Sequence, residues 1–171
     1  MTTTLLLLRH AETAANADGR TQGTLDLALT DRGRAQATEL ASMVAAHRPS
    51  RLYVSPALRA RETAAAVGAA CGLHPVVEPD LAELDHGELE GLNMEQLRAA
   101  YPDFVEQWEA DPAAQPMPGG EGLHDAQYRM VALLEARIAA APGETIAVVS
   151  HNLALKAVIC RALGAPLSGA R

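Results

Sequence analysis

Three apolar segments of this chain each end in side chains able to act on an anion. Thr4-Leu5-Leu6-Leu7-Leu8 runs into Arg9-His10, Arg51-Leu52-Tyr53-Val54 into Ser55 with Arg59 and Arg61 beyond, and Thr145-Ile146-Ala147-Val148-Val149 into Ser150-His151-Asn152. Residues 83–91 add Glu83, Asp85, His86, Glu88 and Glu90 in a stretch with neither helical nor strand period. Two histidines, arginines and a carboxylic acid are what phosphoryl transfer through a phosphohistidine requires. One imidazole attacks phosphorus, cations neutralise the equatorial oxygens, and the acid protonates the departing alkoxide. Arg59 and Arg61 point apart on a helix, so only one of them would serve. The remaining histidines, His47, His74, His86 and His124, are read as surface or structural. They show no metal-ligand spacing, and no metal or other cofactor is expected.

The elements that must bring these residues together follow from period and caps. Absence of alternation in the leucine run predicts a fully buried parallel strand, whose carboxyl end is where open α/β sheets bind ligands against helix N-termini. A polar loop rich in turn residues follows, too rich in them for helix or strand. Thr30 caps a helix that runs to about residue 47 and stops at Pro49. After the second strand, Ser55 with Pro56 at the first helical position opens a helix to Cys71, with Gly72 ending it. Residues 75–78 form a third strand. Helices from Asn93 to about 100 and from Pro102 to about 109 lie in the one long excursion between strands, so residues of about 84–122 read as a lid over the sheet edge. A helix from about 123 to 140, the last strand and a helix to about 163 complete the order. This alternation predicts one domain, 1–171, with a three-layer α/β/α sandwich around a mostly parallel sheet.

Bulk properties narrow the partners. The formal net charge of −7 argues against a nucleic-acid or anionic-membrane surface, so an anion site must be a local concentration of cations. No stretch is long and apolar enough for a membrane span, and the start lacks the basic region and cleavage site of a leader. Two cysteines, Cys71 and Cys160, read as buried small side chains in a reducing cytoplasm. Only 3% of residues are aromatic, so the core must be built from Leu, Val and Ala.

Residues 8–16, Leu-Arg-His-Ala-Glu-Thr-Ala-Ala-Asn, resemble the R-H-G-E-T-x-x-N signature of the histidine phosphatase, or phosphoglycerate mutase-like, superfamily. Gly23, Asp26, Leu29-Thr30, Gly33 and Gln36-Ala37 are similar to its next block, and residues 55–64 to S-x-L-x-R-A-x-Q-T-A, which selects Arg59 over Arg61. Residues 81–91 resemble L-x-E-x-x-x-G-x-W-E-G, which selects Glu83. Pro118-Gly119-Gly120-Glu121 and Val149-Ser150-His151 resemble the two remaining motifs. Ala11, Leu89 and Asn152 depart from the usual Gly, Trp and Gly. The chain also reaches Arg171 where family members typically add an edge strand, so either the chain is trimmed or the sheet is one strand short. An unpaired edge invites pairing, and a homodimer is compatible with the residues.

The resemblance implies His10 as nucleophile and Arg9, Arg59 and His151 as an electropositive pocket, with His151 protonated once phosphate is bound. Glu83 is general acid and then base. Asn16 donates to the phosphoryl group, Gly23 offers backbone to the substrate, and Gln22 and Asn152 complete the substrate contacts. The expected activity is hydrolysis of small phosphomonoesters. Only residues 84–119 separate Glu83 from Gly120, shorter than the insertion that lets related mutases cage their intermediate. A phosphomutase and a non-catalytic phospho-ligand binding module are the alternatives.

Overall fold

Alternate residues of the same strands feed two separate cores. In the computed structural model, which describes residues 2–170, β1 (Thr4–Arg9), β2 (Arg51–Val54), β3 (Val76–Val77) and β4 (Thr145–Ser150) form a parallel sheet in the order β1-β4-β2-β3. Ile146 and Val148 enter one core while Ala147 and Val149 enter the other, and Leu5 and Leu7 part from Leu6 and Leu8 in the same way. The first core is covered by α6 (Leu123–Ala139) and α7 (Asn152–Leu163). The second is covered by α2 (Asp31–Ala46) and α3 (Leu58–Cys71). Alanines at Ala41, Ala60 and Ala64 let α2 and α3 sit close to the sheet, so the scarcity of aromatics is a packing solution.

Register brings the chemistry to one edge. Val54 pairs with Val149 and Arg9 with Ser150, so Arg9, Ser150 and Ser55 form one row at the carboxyl ends of their strands. His10 and His151 follow in the next. The His10 N–H donates to the Ser150 carbonyl (3.0 Å) and the Ser55 N–H to that of Val149 (3.0 Å), carrying the ladder to the last residue before the site.

The helix ends at Thr30, whose hydroxyl accepts from Gly33 N–H, and at left-handed Gly72 and Gly164 agree with the sequence pattern. Four local expectations need correction. β1 is an edge strand, hydrogen-bonded to β4 alone, and its leucines are half-buried rather than fully buried. An unbroken leucine run reports that both faces are covered, not that both sides are paired. The loop after His10 contains a short helix, α1 (Ala14–Ala17), held by a reciprocal Thr13–Asn16 capping box. The third strand shrinks to two residues. Finally, α3 starts after Ala57, not at Ser55-Pro56. Asp26 Oδ1 takes the Leu58 N–H (2.6 Å), and the Ser55 hydroxyl is engaged with a histidine.

Between β3 and α6 run two 3₁₀ turns (Pro79–Leu81 and Gly87–Leu89), α4 (Met94–Ala100) and α5 (Pro102–Ala110). The acidic loop is clamped against residues 118–121: Glu88 N–H donates to Pro118 O and Glu121 N–H to Asp85 O, both at 2.9 Å. Gly87 has φ +52°, and a Cβ there would stand 2.2 Å from the Pro118 carbonyl oxygen. Strained backbone and a clash combine, so Gly87→Ala is expected to lower the unfolding free energy by roughly 2 kcal/mol, read as a lower urea midpoint at unchanged m-value. An unchanged midpoint would mean the two segments do not approach so closely.

Candidate active site

A cavity of about 260 Å³ opens over the strand ends. Its floor carries Arg9, His10, Asn16, Gln22, Glu83 and Asn152, and its outer wall is apolar, with Leu89, Met94, Leu97, Phe104, Trp108 and Met117. The only Phe and the only Trp of the chain both lie on α5 in this wall, their rings stacked with centroids 5.8 Å apart.

His10 is buried, and its Nδ1 lies 2.7 Å from the Ala11 carbonyl oxygen. A carbonyl only accepts, so Nδ1 carries the proton and Nε2 keeps its lone pair. Burial above all, helped by the nearby positive charges of Arg59 and Arg9, lowers its pKa to about 4. The imidazole is therefore neutral at neutral pH, with its lone pair on Nε2. Ala11 keeps ordinary negative φ, so its methyl group is tolerated where relatives of this motif carry Gly.

Arg9 is exposed in the cavity and forms no ion pair among the described residues. Arg59 is the opposite case, a fully buried guanidinium. Nη1 donates to Leu25 O (2.8 Å) and Nη2 to Gly23 O (2.9 Å), while Nε has no partner. Burial lowers its pKa, opposed by the charges of Glu83, Asp26 and Glu90. Arg59 lies behind the cavity wall and acts on the floor through its field.

His151 is completely buried, its ring centroid 5.1 Å from that of His10. Burial first, then the charge of Arg59, holds its pKa at about 2. His151 is therefore a neutral imidazole behind the cavity lining, whereas the protonated form expected from the resemblance belongs to the phosphate-bound state. Nε2 and Ser55 Oγ share a hydrogen bond of 2.6 Å, and Nδ1 has no partner.

Glu83 is fixed by three backbone N–H groups: Leu84 (3.1 Å) and Ala154 (3.0 Å) donate to Oε1 and Leu153 (3.1 Å) to Oε2. The last two belong to the first turn of α7, so the positive end of that helix is occupied by this carboxyl group and not by a ligand, contrary to expectation. From the other side Arg129 donates to the carbonyls of Asp80, Ala82 and Glu83 while pairing with both oxygens of Glu121 (2.7 and 2.8 Å). The glycine-glycine-glutamate motif therefore works as a strut for the acid.

The remaining predicted contacts divide. Asn16 and Asn152 line the cavity, and the Asn16 side-chain Oδ1 accepts from Thr13 N–H. Gln22 lines it too, but its amide accepts from Thr13 Oγ1 (2.7 Å) and donates to Leu25 O (3.2 Å), which makes it a brace for the loop. Gly23 is corrected. Its N–H donates to Glu90 Oε1 (2.7 Å) and its carbonyl accepts from Arg59, so its backbone serves the protein. Glycine is needed there because a Cβ would stand 2.3 Å from the Leu84 carbonyl. His86 is corrected in the other direction, from surface or structural to a buried cavity residue with Nδ1 unpartnered and its pKa lowered by burial. Its position beside Glu83 in an aperiodic loop was the available signal. Among the described residues no three His, Cys, Asp or Glu converge as metal ligands, and no helix is long and apolar enough to cross a membrane.

Known proteins resemble this chain over most of its length. The chain is 35% identical to phosphoserine phosphatase 1 of Hydrogenobacter thermophilus, across 96% of this chain and 78% of that protein. It is 32% identical to a probable phosphoglycerate mutase of Cronobacter sakazakii, across 94% and 74%. It superposes on the mycobacterial glucosyl-3-phosphoglycerate phosphatase complexed with VO3 with a TM-score of 0.90 at 29% identity, covering 97% of this chain and 83% of that one. Residues 5–171 match the sequence pattern described as histidine phosphatase superfamily (branch 1), and the chain belongs to that superfamily.

Proposed function

We propose that this protein is a phosphomonoesterase for small phosphorylated metabolites and that it works through a phosphohistidine on His10. The observation that carries the reading is the Nδ1–H bond to Ala11, which leaves Nε2 as a lone pair in a cavity where Arg9 has no carboxylate partner among the described residues. Relatives named for phosphoserine and glucosyl-3-phosphoglycerate hydrolysis support a substrate of that size. The floor takes the phosphoryl group and the apolar wall of α4 and α5 closes over the remainder as a lid.

In the first half-reaction Nε2 attacks phosphorus, the P–O bond to the alcohol breaks, and the Glu83 carboxylic acid passes its proton to the leaving oxygen. In the second, the Glu83 carboxylate takes a proton from water, the water oxygen attacks phosphorus, and the P–N bond returns its electron pair to Nε2. Arg9 and Arg59 stabilise the charge on the phosphoryl oxygens throughout. Likeness to a probable phosphoglycerate mutase favours a second reading, in which the phosphoryl group returns to another hydroxyl of the substrate.

A panel of phosphomonoesters that includes p-nitrophenyl phosphate, phosphoserine and 3-phosphoglycerate separates these readings. Wild type is expected to release inorganic phosphate, and His10→Ala to lose at least about 10³-fold in kcat/KM. Isomerised phosphoglycerate without free phosphate would establish the mutase, and phosphate release undiminished in His10→Ala would contradict both.

The buried histidines also set an acid limit on stability. With folded pKa values of about 4 for His10 and about 2 for His151, against about 6.5 in an unfolded chain, the unfolded state binds more protons as pH falls below about 6.5. Stability therefore rises with pH across this window and is lost on acidification. The thermal midpoint is expected to fall between pH 7 and pH 4, and less steeply in His151→Gln. Equal slopes would contradict a neutral buried His151.

A further inference from the structure

We infer that Ser55 is a positioning residue that fixes His151 as its Nδ1–H tautomer, so that a neutral imidazole donates a hydrogen bond to the phosphoryl group carried by His10. The argument begins with the Ser55 hydroxyl. It is fully buried at the end of β2, and its oxygen has two partners among the described residues: the Ala57 N–H, which donates to it at 3.4 Å, and His151 Nε2 at 2.6 Å. Ala57 N–H can only donate, so the hydroxyl hydrogen has one acceptor within reach, the Nε2 lone pair. If Nε2 carried the proton instead, a buried hydroxyl would face two donors and leave its own hydrogen unbonded.

With Nε2 accepting, the imidazole proton must reside on Nδ1, which is itself buried and finds no acceptor in the protein. The neighbouring ring is that of His10, 5.1 Å away between centroids, and the cations around the pair are Arg59, Arg9 and Arg129, none of which can accept. An anionic oxygen on His10 supplies the missing acceptor. The assignment of that acceptor rests on the phosphatase reading; the tautomer does not. Burial among these cations disfavours an imidazolium before the anion arrives, and the serine keeps the proton on Nδ1, ready to be donated.

The test is 15N NMR of the protein at neutral pH, with the His151 signals assigned by their loss in His151→Gln, together with kcat/KM and inorganic phosphate affinity of Ser55→Ala and Ser55→Thr. The expected wild-type pattern is a protonated Nδ1 and an unprotonated Nε2. Ser55→Ala should lose that pattern and about 10- to 100-fold in kcat/KM and phosphate affinity, and Ser55→Thr, which restores the hydroxyl, should regain both. A wild-type His151 protonated at Nε2 alone or at both nitrogens would overturn the inference. So would a Ser55→Ala protein that keeps the tautomer and full activity, or a folded Ser55→Thr that recovers neither. An inactive wild type with the expected tautomer would overturn only the phosphatase reading, because the NMR pattern does not depend on turnover.

Discussion

A guanidinium with no access to water, Arg59, stands behind the cavity floor, and much of the surrounding structure is arranged to tolerate it. Burying an unpaired cation costs several kcal/mol, so it must be solvated by the protein. The backbone carbonyls of Gly23 and Leu25 do this by direct hydrogen bonds, and Glu83, Asp26 and Glu90 by their charge. That demand explains the loop after α1. Glu90 binds the N–H groups of Gly23 and Thr24, Gln22 braces Leu25, and Asp26 takes the first N–H of α3, so that carbonyls rather than donors face the arginine. The same buried charge helps to keep both histidines neutral, which is the condition for His10 to attack and for His151 to need an alternative to a proton.

The acid is held on the opposite principle, by donors. Two N–H groups of α7 and one from the acidic loop grip the Glu83 carboxyl group, and Arg129 grips the carbonyls on either side of it. The proposed nucleophile, His10, and the proposed acid, Glu83, therefore hang from different layers of the sandwich. β1 and the α2–α3 face position the phosphoryl floor. α6, α7 and the clamped loops position Glu83, with the only Phe and Trp of the chain closing the cavity above.

The strand order of chemistry was legible in the sequence because parallel strands put every carboxyl end on one edge, and register then set Arg9 level with Ser150. Caps that depend on one local bond, such as Thr30 to Gly33 and the left-handed Gly72, were equally legible. Wherever a residue had two possible partners, local reading chose the near one. Ser55 looks like a helix cap and bonds a residue from the far end of the chain; Gly23 looks like an open backbone and is closed by Glu90; the leucines of β1 look central and lie at the edge. For His86 the aperiodic loop around Glu83 marked the neighbourhood, but composition and spacing could not mark a burial created by distant segments.

The central claim is that a neutral His10 attacks through Nε2. The direct measurement is an alkaline quench during turnover of p-nitrophenyl phosphate, followed by 31P and 15N NMR of the phosphopeptide containing residue 10 to identify the phosphorylated nitrogen. The account predicts phosphate on Nε2, the nitrogen freed by the Ala11 hydrogen bond. Phosphate on Nδ1, or steady turnover with water delivered directly to phosphorus and no phosphoenzyme formed, would contradict it.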